Sequence, residues 1–195
     1  MALDDGEARL AALLEEIREE VPGFRLLSKR DSRFQRLLHG LLVGLTFGGQ
    51  RGYLDRYVTT IGRTVYVDLR WEERAALDRW ATLRHERVHL RQFQRWGLVG
   101  MALLYLLVPL PVGLAWCRMR FEREAYEESI RALRDAYGAE YLRRPSVRAR
   151  MIEQFTGPAY GWMWPFPRAV ARWYDRHCPA GHDGVAEPSV PRVRP

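Results

Sequence analysis

The feature that most constrains this fold is an uncharged, mainly apolar segment in the middle of the chain, residues 97–117. As a single helix this segment would span roughly 30 Å, about the thickness of the hydrocarbon core of a bilayer. Pro109 and Pro111 interrupt it, and a proline removes a backbone donor and clashes with the preceding helical turn. The segment therefore either crosses a membrane or turns back at the prolines, with 97–107 leading out and 112–121 returning.

The residues before this segment contain a His-Glu-x-x-His motif, formed by His85, Glu86 and His89. We predict one long helix over 72–96, and positions i and i+4 of a helix lie on the same face. Both imidazoles can therefore reach one metal ion, with Glu86 beside them as the candidate general base. A catalytic zinc ion also needs a third protein ligand and one open position.

Two candidates for the third ligand follow the apolar segment. Glu122 is followed three residues later by the small residue Ala125, and Glu124 is the alternative. The two carboxylates are two residues apart on a predicted helix and so face different ways, which means that only one of them can bind the ion. We favour Glu122.

This pair of motifs, at 85–89 and 122–126, resembles that of the gluzincin-type metallopeptidases, a broad clan. In those enzymes a glutamate on a second helix completes a His-His-Glu site, and a small residue after it lets the helices pack closely. The resemblance implies His85, His89 and Glu122 as ligands of Zn²⁺ and Glu86 as the catalytic residue. Tyr126 stands where an acidic residue often supports a zinc-binding histidine, and it can also form a hydrogen bond there.

Two arginines depart from the clan's pattern. Arg84 and Arg87 are charged at positions that are usually uncharged in such peptidases. Their spacing makes them neighbours on the helix surface, away from the face of the two histidines. We therefore expect both side chains to point to solvent.

The metal site decides between the two foldings of segment 97–117. A single membrane crossing would leave His89 and Glu122 on opposite sides, where they could not bind one ion. A shared metal therefore requires the hairpin. The sequence leaves open whether that hairpin is buried in the protein core or dips into a membrane surface.

The rest of the chain predicts a mostly helical α+β fold. β-branched and aromatic residues on either side of Gly62 and Arg63 predict a β-hairpin of strands 57–61 and 64–67. Strand 64–67 precedes the motif helix and is the candidate edge strand for pairing with an extended substrate. Further helices are predicted over 4–21, from 31 or 32 through 42, over 118–137, from 145 through 155, and over 168–177. We expect one minimal zincin-like domain over 1–178 and a disordered tail over 179–195.

The composition of the chain limits the kinds of binding partner that we expect. The net charge of +7 comes almost entirely from arginine, Lys29 being the single lysine, and these residues are scattered among acidic neighbours. No nucleic-acid partner is expected. Two cysteines and an acidic N-terminus without a signal-like apolar run favour a cytoplasmic protein, with peripheral or re-entrant membrane contact through the apolar hairpin.

The sequence thus predicts a zinc-dependent hydrolase, a metallopeptidase acting on a peptide or protein substrate. The alternative is a non-catalytic, membrane-associated helical protein with a structural or vestigial metal site. The particular substrate and the oligomeric state do not follow from the sequence.

Overall fold

The computed structural model describes residues 2–30, 57–106, 115–157 and 163–178. These residues form a mostly helical α+β fold with one small sheet, as predicted. The predicted helix from 31 or 32 through 42 and the tail over 179–195 lie outside the described residues. The elements, in chain order, are α1 (Ala2–Glu20), β1 (Arg25–Ser28), β2 (Thr59–Ile61), β3 (Thr64–Val67), a 3₁₀ turn (Trp71–Glu73), α2 (Ala76–Leu106), α3 (Ala115–Tyr137), α4 (Ala139–Arg143), α5 (Pro145–Thr156) and α6 (Pro167–His177).

The first core lies between α1, the sheet and one side of α2. Apolar residues recur along α1 with helical spacing, so that Leu10, Leu13 and Ile17 share one buried face. They pack against Val65 of β3 and Leu83 of α2. This core holds the N-terminal half of α2, which carries the His-Glu-x-x-His motif, against the sheet.

The sheet has the strand order β1-β3-β2. The prediction that strand 64–67 forms the edge was wrong, because β3 pairs with β1 in parallel on one side and with β2 antiparallel on the other. The four residues of β1 were not recognised as a strand, since so short a run carries little periodicity. Within the described residues the edge beside the motif helix belongs to β2.

The apolar segment returns on itself, as the hairpin prediction required. Helix α2 continues to Leu106 with a break at Gly97, whose φ of 69° and ψ of 171° are non-helical and suit a residue without a Cβ. Residues later in α2 contact residues earlier in α3. Arg84 bonds to Asp135, whereas Trp96, further along α2, contacts Phe121, nearer the start of α3. The two helices are therefore antiparallel neighbours. In the part of the chain that the structure describes, no helix has the length and apolar character needed to span a membrane.

The second core lies on the far side of α3. Helices α3, α5 and α6 meet there around fully or almost fully buried aromatic side chains, among them Phe155, Trp173 and Tyr174. The phenolic oxygen of Tyr174 donates a hydrogen bond to the carbonyl oxygen of Leu142 at 2.7 Å. This core fixes the outer face of α3 while its inner face packs on α2.

Ala125 is a small residue on the face of α3 that packs against α2. It is completely buried and lies one turn from both Glu122 and Ser129 on the inner face of α3. We predict that Ala125→Leu lowers the free energy of unfolding by about 1–3 kcal/mol, because extra methylene groups overpack a filled interface. Urea denaturation followed by circular dichroism measures this effect. The same substitution at the exposed Ala139 is the control, and equal stability of the two variants would contradict close packing at Ala125.

Candidate metal site

Three potential metal ligands converge where α2 packs on α3. His85 and His89 lie one turn apart on α2, and their Nε2 atoms are 3.2 Å apart. The Oε2 atom of Glu122, on α3, lies 3.9 Å from Nε2 of His85 and 3.8 Å from Nε2 of His89. The structure thus brings together the three residues that the sequence pattern selected, and they form a candidate metal-binding group.

Glu124, the alternative ligand, lies outside this group and supports it through Gln92. The amide nitrogen of Gln92 donates hydrogen bonds to a carboxylate oxygen of Glu124 at 3.0 Å and to the carbonyl oxygen of Phe121 at 3.2 Å. The amide oxygen of Gln92 therefore faces His89, whose Nδ1 lies 2.9 Å away. Because that oxygen only accepts hydrogen bonds, the proton of a neutral His89 is on Nδ1, and its Nε2 carries a lone pair.

His85 is oriented in the same way by a different residue. Its Nδ1 lies 2.8 Å from the hydroxyl oxygen of Ser129, and this hydroxyl donates its own proton to the carbonyl oxygen of Ala125 at 3.2 Å. The hydroxyl oxygen therefore accepts from Nδ1 of His85, which leaves the lone pair on Nε2. The ring of Tyr126 contacts the His85 ring edge to face, with centroids 4.8 Å apart, so Tyr126 packs against one of the two candidate histidine ligands.

The resulting geometry fits a small cation. Two nitrogen lone pairs at 3.2 Å repel each other unless a positive charge lies between them. Ligand bonds of about 2.0–2.1 Å at the tetrahedral angle separate two nitrogen ligands by about 3.3 Å. The observed separation matches this value, and a modest movement of the Glu122 carboxylate completes a three-residue ligand set.

Electrostatics also favour a positive charge in this position. Burial, and then the neighbouring His89, hold the pKa of His85 below its usual value. Burial alone would lower the pKa of His89 as well, but the carboxylates of Glu122 and Glu86 outweigh it and place that pKa above its usual value. The two carboxylates thus create a negative potential around the imidazoles, which a metal cation satisfies.

Glu86 lies next to the ligands and is held by the sheet. Its side chain is almost completely buried, and its Oε2 atom accepts a hydrogen bond of 2.6 Å from the hydroxyl of Thr60. Thr60 belongs to β2, which among the described residues is the edge strand beside the motif helix. The sheet therefore positions the candidate base, and the sequence pattern contained no signal for this long-range contact.

Lys29 is a second residue of the site region that sequence reasoning missed. It follows β1, its side chain is completely inaccessible to solvent, and it interacts electrostatically with the carboxylates of Glu86 and Asp68. Burial lowers the pKa of Lys29 to about 8, although both carboxylates oppose the shift. The sequence feature that could have identified Lys29 is its rarity, since it is the single lysine in a chain whose other basic side chains are mostly arginine.

Arg84 and Arg87 do not point freely to solvent, so that expectation was wrong. Arg84 forms ion pairs with Glu128 and Asp135 of α3, and Arg87 forms ion pairs with residues of α1. Each arginine side chain is about one-fifth exposed. Their charges therefore connect the motif helix to both of its helical neighbours, which accounts for charged residues at these positions.

A cavity of about 570 Å³ reaches the site from the side of His85 and Glu86. This volume lies in the range of about 300–1,000 Å³ that is usual for ligand pockets. Its lining combines apolar side chains from four elements with two arginines. Representative lining residues are Val58, Leu133, Val147, Met151, Arg74 and Arg150.

Comparisons of the chain with protein-family models, curated proteins and solved structures give no significant match. Functional inference therefore depends on the geometry of the site itself.

The buried Lys29 makes a prediction about stability and pH. Its pKa is about 8 in the folded chain and 10.5 in the unfolded chain, so between these values the unfolded state binds more protons and stability rises with pH. We predict that the stability of wild type relative to Lys29→Met increases by on the order of 3 kcal/mol across this window. Urea denaturation at a series of pH values measures the difference. Arg30→Met, at the exposed neighbour, is the control, and parallel curves for wild type and Lys29→Met would refute the prediction.

Proposed function

We propose that the chain is a zinc-dependent hydrolase that cleaves amide bonds, as a metallopeptidase does. The observation that carries this proposal is the convergence of two imidazole Nε2 atoms and the Glu122 carboxylate, with both Nδ1 atoms held by acceptors. Imidazole and carboxylate groups in a His-His-Glu set are typical ligands of catalytic zinc. The resemblance of residues 85–89 and 122–126 to the gluzincin-type metallopeptidases is part of this proposal.

Each residue has a distinct role in the proposed reaction. His85, His89 and Glu122 would hold the zinc ion, which supplies a Lewis acid that lowers the pKa of water and polarises a carbonyl. Glu86 takes the proton of the attacking water and passes it to the leaving amine. Thr60 holds the Glu86 carboxylate at 2.6 Å, and it does so from the edge strand β2, which offers its backbone to an extended peptide.

The ligand count favours catalysis over a purely structural metal. Structural zinc sites usually have four protein ligands, whereas catalytic sites have three and keep one position for water or substrate. The candidate group comprises three residues among those that the structure describes. The cavity reaches it from the side of His85 and Glu86, where a peptide carbonyl would have to enter.

The decisive test separates metal binding from turnover. We expect the full chain, reconstituted with Zn²⁺, to contain one zinc ion per chain and to hydrolyse quenched-fluorescence peptides. Glu86→Gln should keep the zinc but lose about 10²–10⁴-fold in turnover, because it cannot accept the proton. His85→Ala should lose the zinc. Elemental analysis and peptide cleavage are the two measurements, and wild-type protein that binds no zinc after reconstitution would refute the proposal.

Glu122 and Glu124 form a matched pair in the same experiment. Glu122→Gln should lower zinc affinity strongly because it removes an anionic ligand, whereas Glu124→Gln removes only a charge outside the ligand group and keeps an amide oxygen that can accept from Gln92. A loss of zinc from Glu124→Gln with retention in Glu122→Gln would reverse the assignment of the third ligand.

Gln92 should affect zinc affinity without touching the metal. We predict that Gln92→Leu lowers zinc affinity about 10–100-fold, since the Nδ1 proton of His89 then loses its acceptor and the ring is free to turn. Competition with a chromophoric chelator measures the affinity. Gln94→Leu is the control, because the exposed Gln94 bonds instead to the carbonyl oxygen of Glu20. Equal affinities of the two variants would show that Gln92 does not orient the ligand.

A further inference from the structure

Beyond Gly97, helix α2 carries large apolar side chains on its surface. The exposed fractions are 58% for Leu98, 71% for Val99 and 51% for Leu103. On the antiparallel helix α3, Trp116 is 58% exposed. Because Trp96 contacts Phe121, the pairing of the two helices places Trp116 level with this part of α2. We call the surface formed by Leu98, Val99, Leu103 and Trp116 the apolar tip.

The clustering of these side chains is unusual for the protein. Eight large apolar side chains are exposed in the described part of the chain, and four of them form the apolar tip. Trp96, 46% exposed, adjoins it. Single exposed apolar residues are normal on a protein surface, whereas a contiguous patch marks a surface that is covered in use.

The charged residues within 91–121, the stretch that contains the apolar tip, all have one sign. Residues 91–121 contain four arginines and no acidic residue. The guanidinium of Arg95 lies 5.4 Å from the ring centroid of Trp96, and that of Arg120 lies 5.4 Å from the ring centroid of Trp116. Arg91 is already paired with Glu20 of α1. The exposed guanidinium groups of Arg95 and Arg120 thus form a basic collar at the base of the apolar tip.

We propose that the apolar tip docks the protein on an anionic phospholipid surface. Trp96 and the two arginines of the basic collar would lie among the headgroups, where an amphipathic ring and a phosphate-binding guanidinium are both stabilised. The nine residues 98–106 span about 13 Å as a helix, close to the hydrocarbon depth of one leaflet, about 15 Å. The surface therefore suits entry into one leaflet.

The basic collar also distinguishes lipid from a second copy of the chain. A twofold contact through the apolar tip would use the same patch on both copies and would bring two basic collars together. No acidic residue within 91–121 is available to neutralise them. An anionic bilayer instead provides both the apolar interior and the opposite charge.

Docking does not depend on the metal, so it can be tested separately from hydrolysis. We expect the full chain to sediment with vesicles of phosphatidylcholine and phosphatidylglycerol, less with phosphatidylcholine alone, and less as salt is added, because salt screens the arginine charges. The combined variant Leu98→Ser, Val99→Ser and Leu103→Ser should lower the partition coefficient at least about tenfold. Phe166→Ser is the matched control, at a side chain that is 64% exposed on another element.

The basic collar has its own variants. Arg95→Gln and Arg120→Gln should each lower binding to the anionic vesicles about fivefold, whereas Arg18→Gln, at an exposed arginine of α1 that pairs with Glu15, should not. Circular dichroism and zinc content of the same samples should be unchanged, since all substituted side chains are exposed. Wild-type protein that does not bind anionic vesicles would overturn the proposal, as would binding that the apolar variant retains. A lipid-free dimer that the same variant dissociates in sedimentation velocity would assign the apolar tip to a second copy instead.

Discussion

Packing of α3 against α2 places the carboxylate of Glu122 beside two imidazoles, and the candidate metal site depends on that contact. His85 and His89 are one turn apart on one helix, so their separation is a local property. Glu122 reaches them only because α3 returns antiparallel to α2 with the completely buried Ala125 at the interface. The two cores hold this pair of helices from opposite sides, one through the sheet and α1, the other through α5 and α6.

The contact between α2 and α3 also buries charged carboxylates, which need neighbouring positive charges or hydrogen-bond donors. The carboxylates of Glu86 and Glu122 are almost completely buried beside the imidazoles, and burying unpaired charge is costly. The hydrogen bond from Thr60 to Glu86, and the nearby charge of Lys29, offset part of that cost. A cation bound by the candidate group would offset more of it.

Much of the fold could be predicted because its signals are local. Helical spacing of apolar residues identified α1, and β-branched residues flanking Gly62 identified the hairpin of β2 and β3. Two prolines in the uncharged segment allowed the chain to turn back, and the predicted shared metal site required it to, so that the returned helix carries Glu122. The orientation of Arg84 and Arg87 was predicted wrongly, because their acidic partners lie on helices whose positions the sequence pattern does not contain.

The sequence by itself determined the types of the candidate ligands and their spacing on one helix, since i and i+4 positions share a face wherever a helix forms. Only the tertiary structure placed Glu122, and not Glu124, beside the two imidazoles, because that position depends on how α3 is rotated against α2. It also made β2 the edge strand beside the motif helix among the described residues, and it placed Gln92, Ser129 and Lys29 around the site. These are contacts between residues far apart in the chain, and they arise from the packing of whole elements and not from the preferences of any one segment.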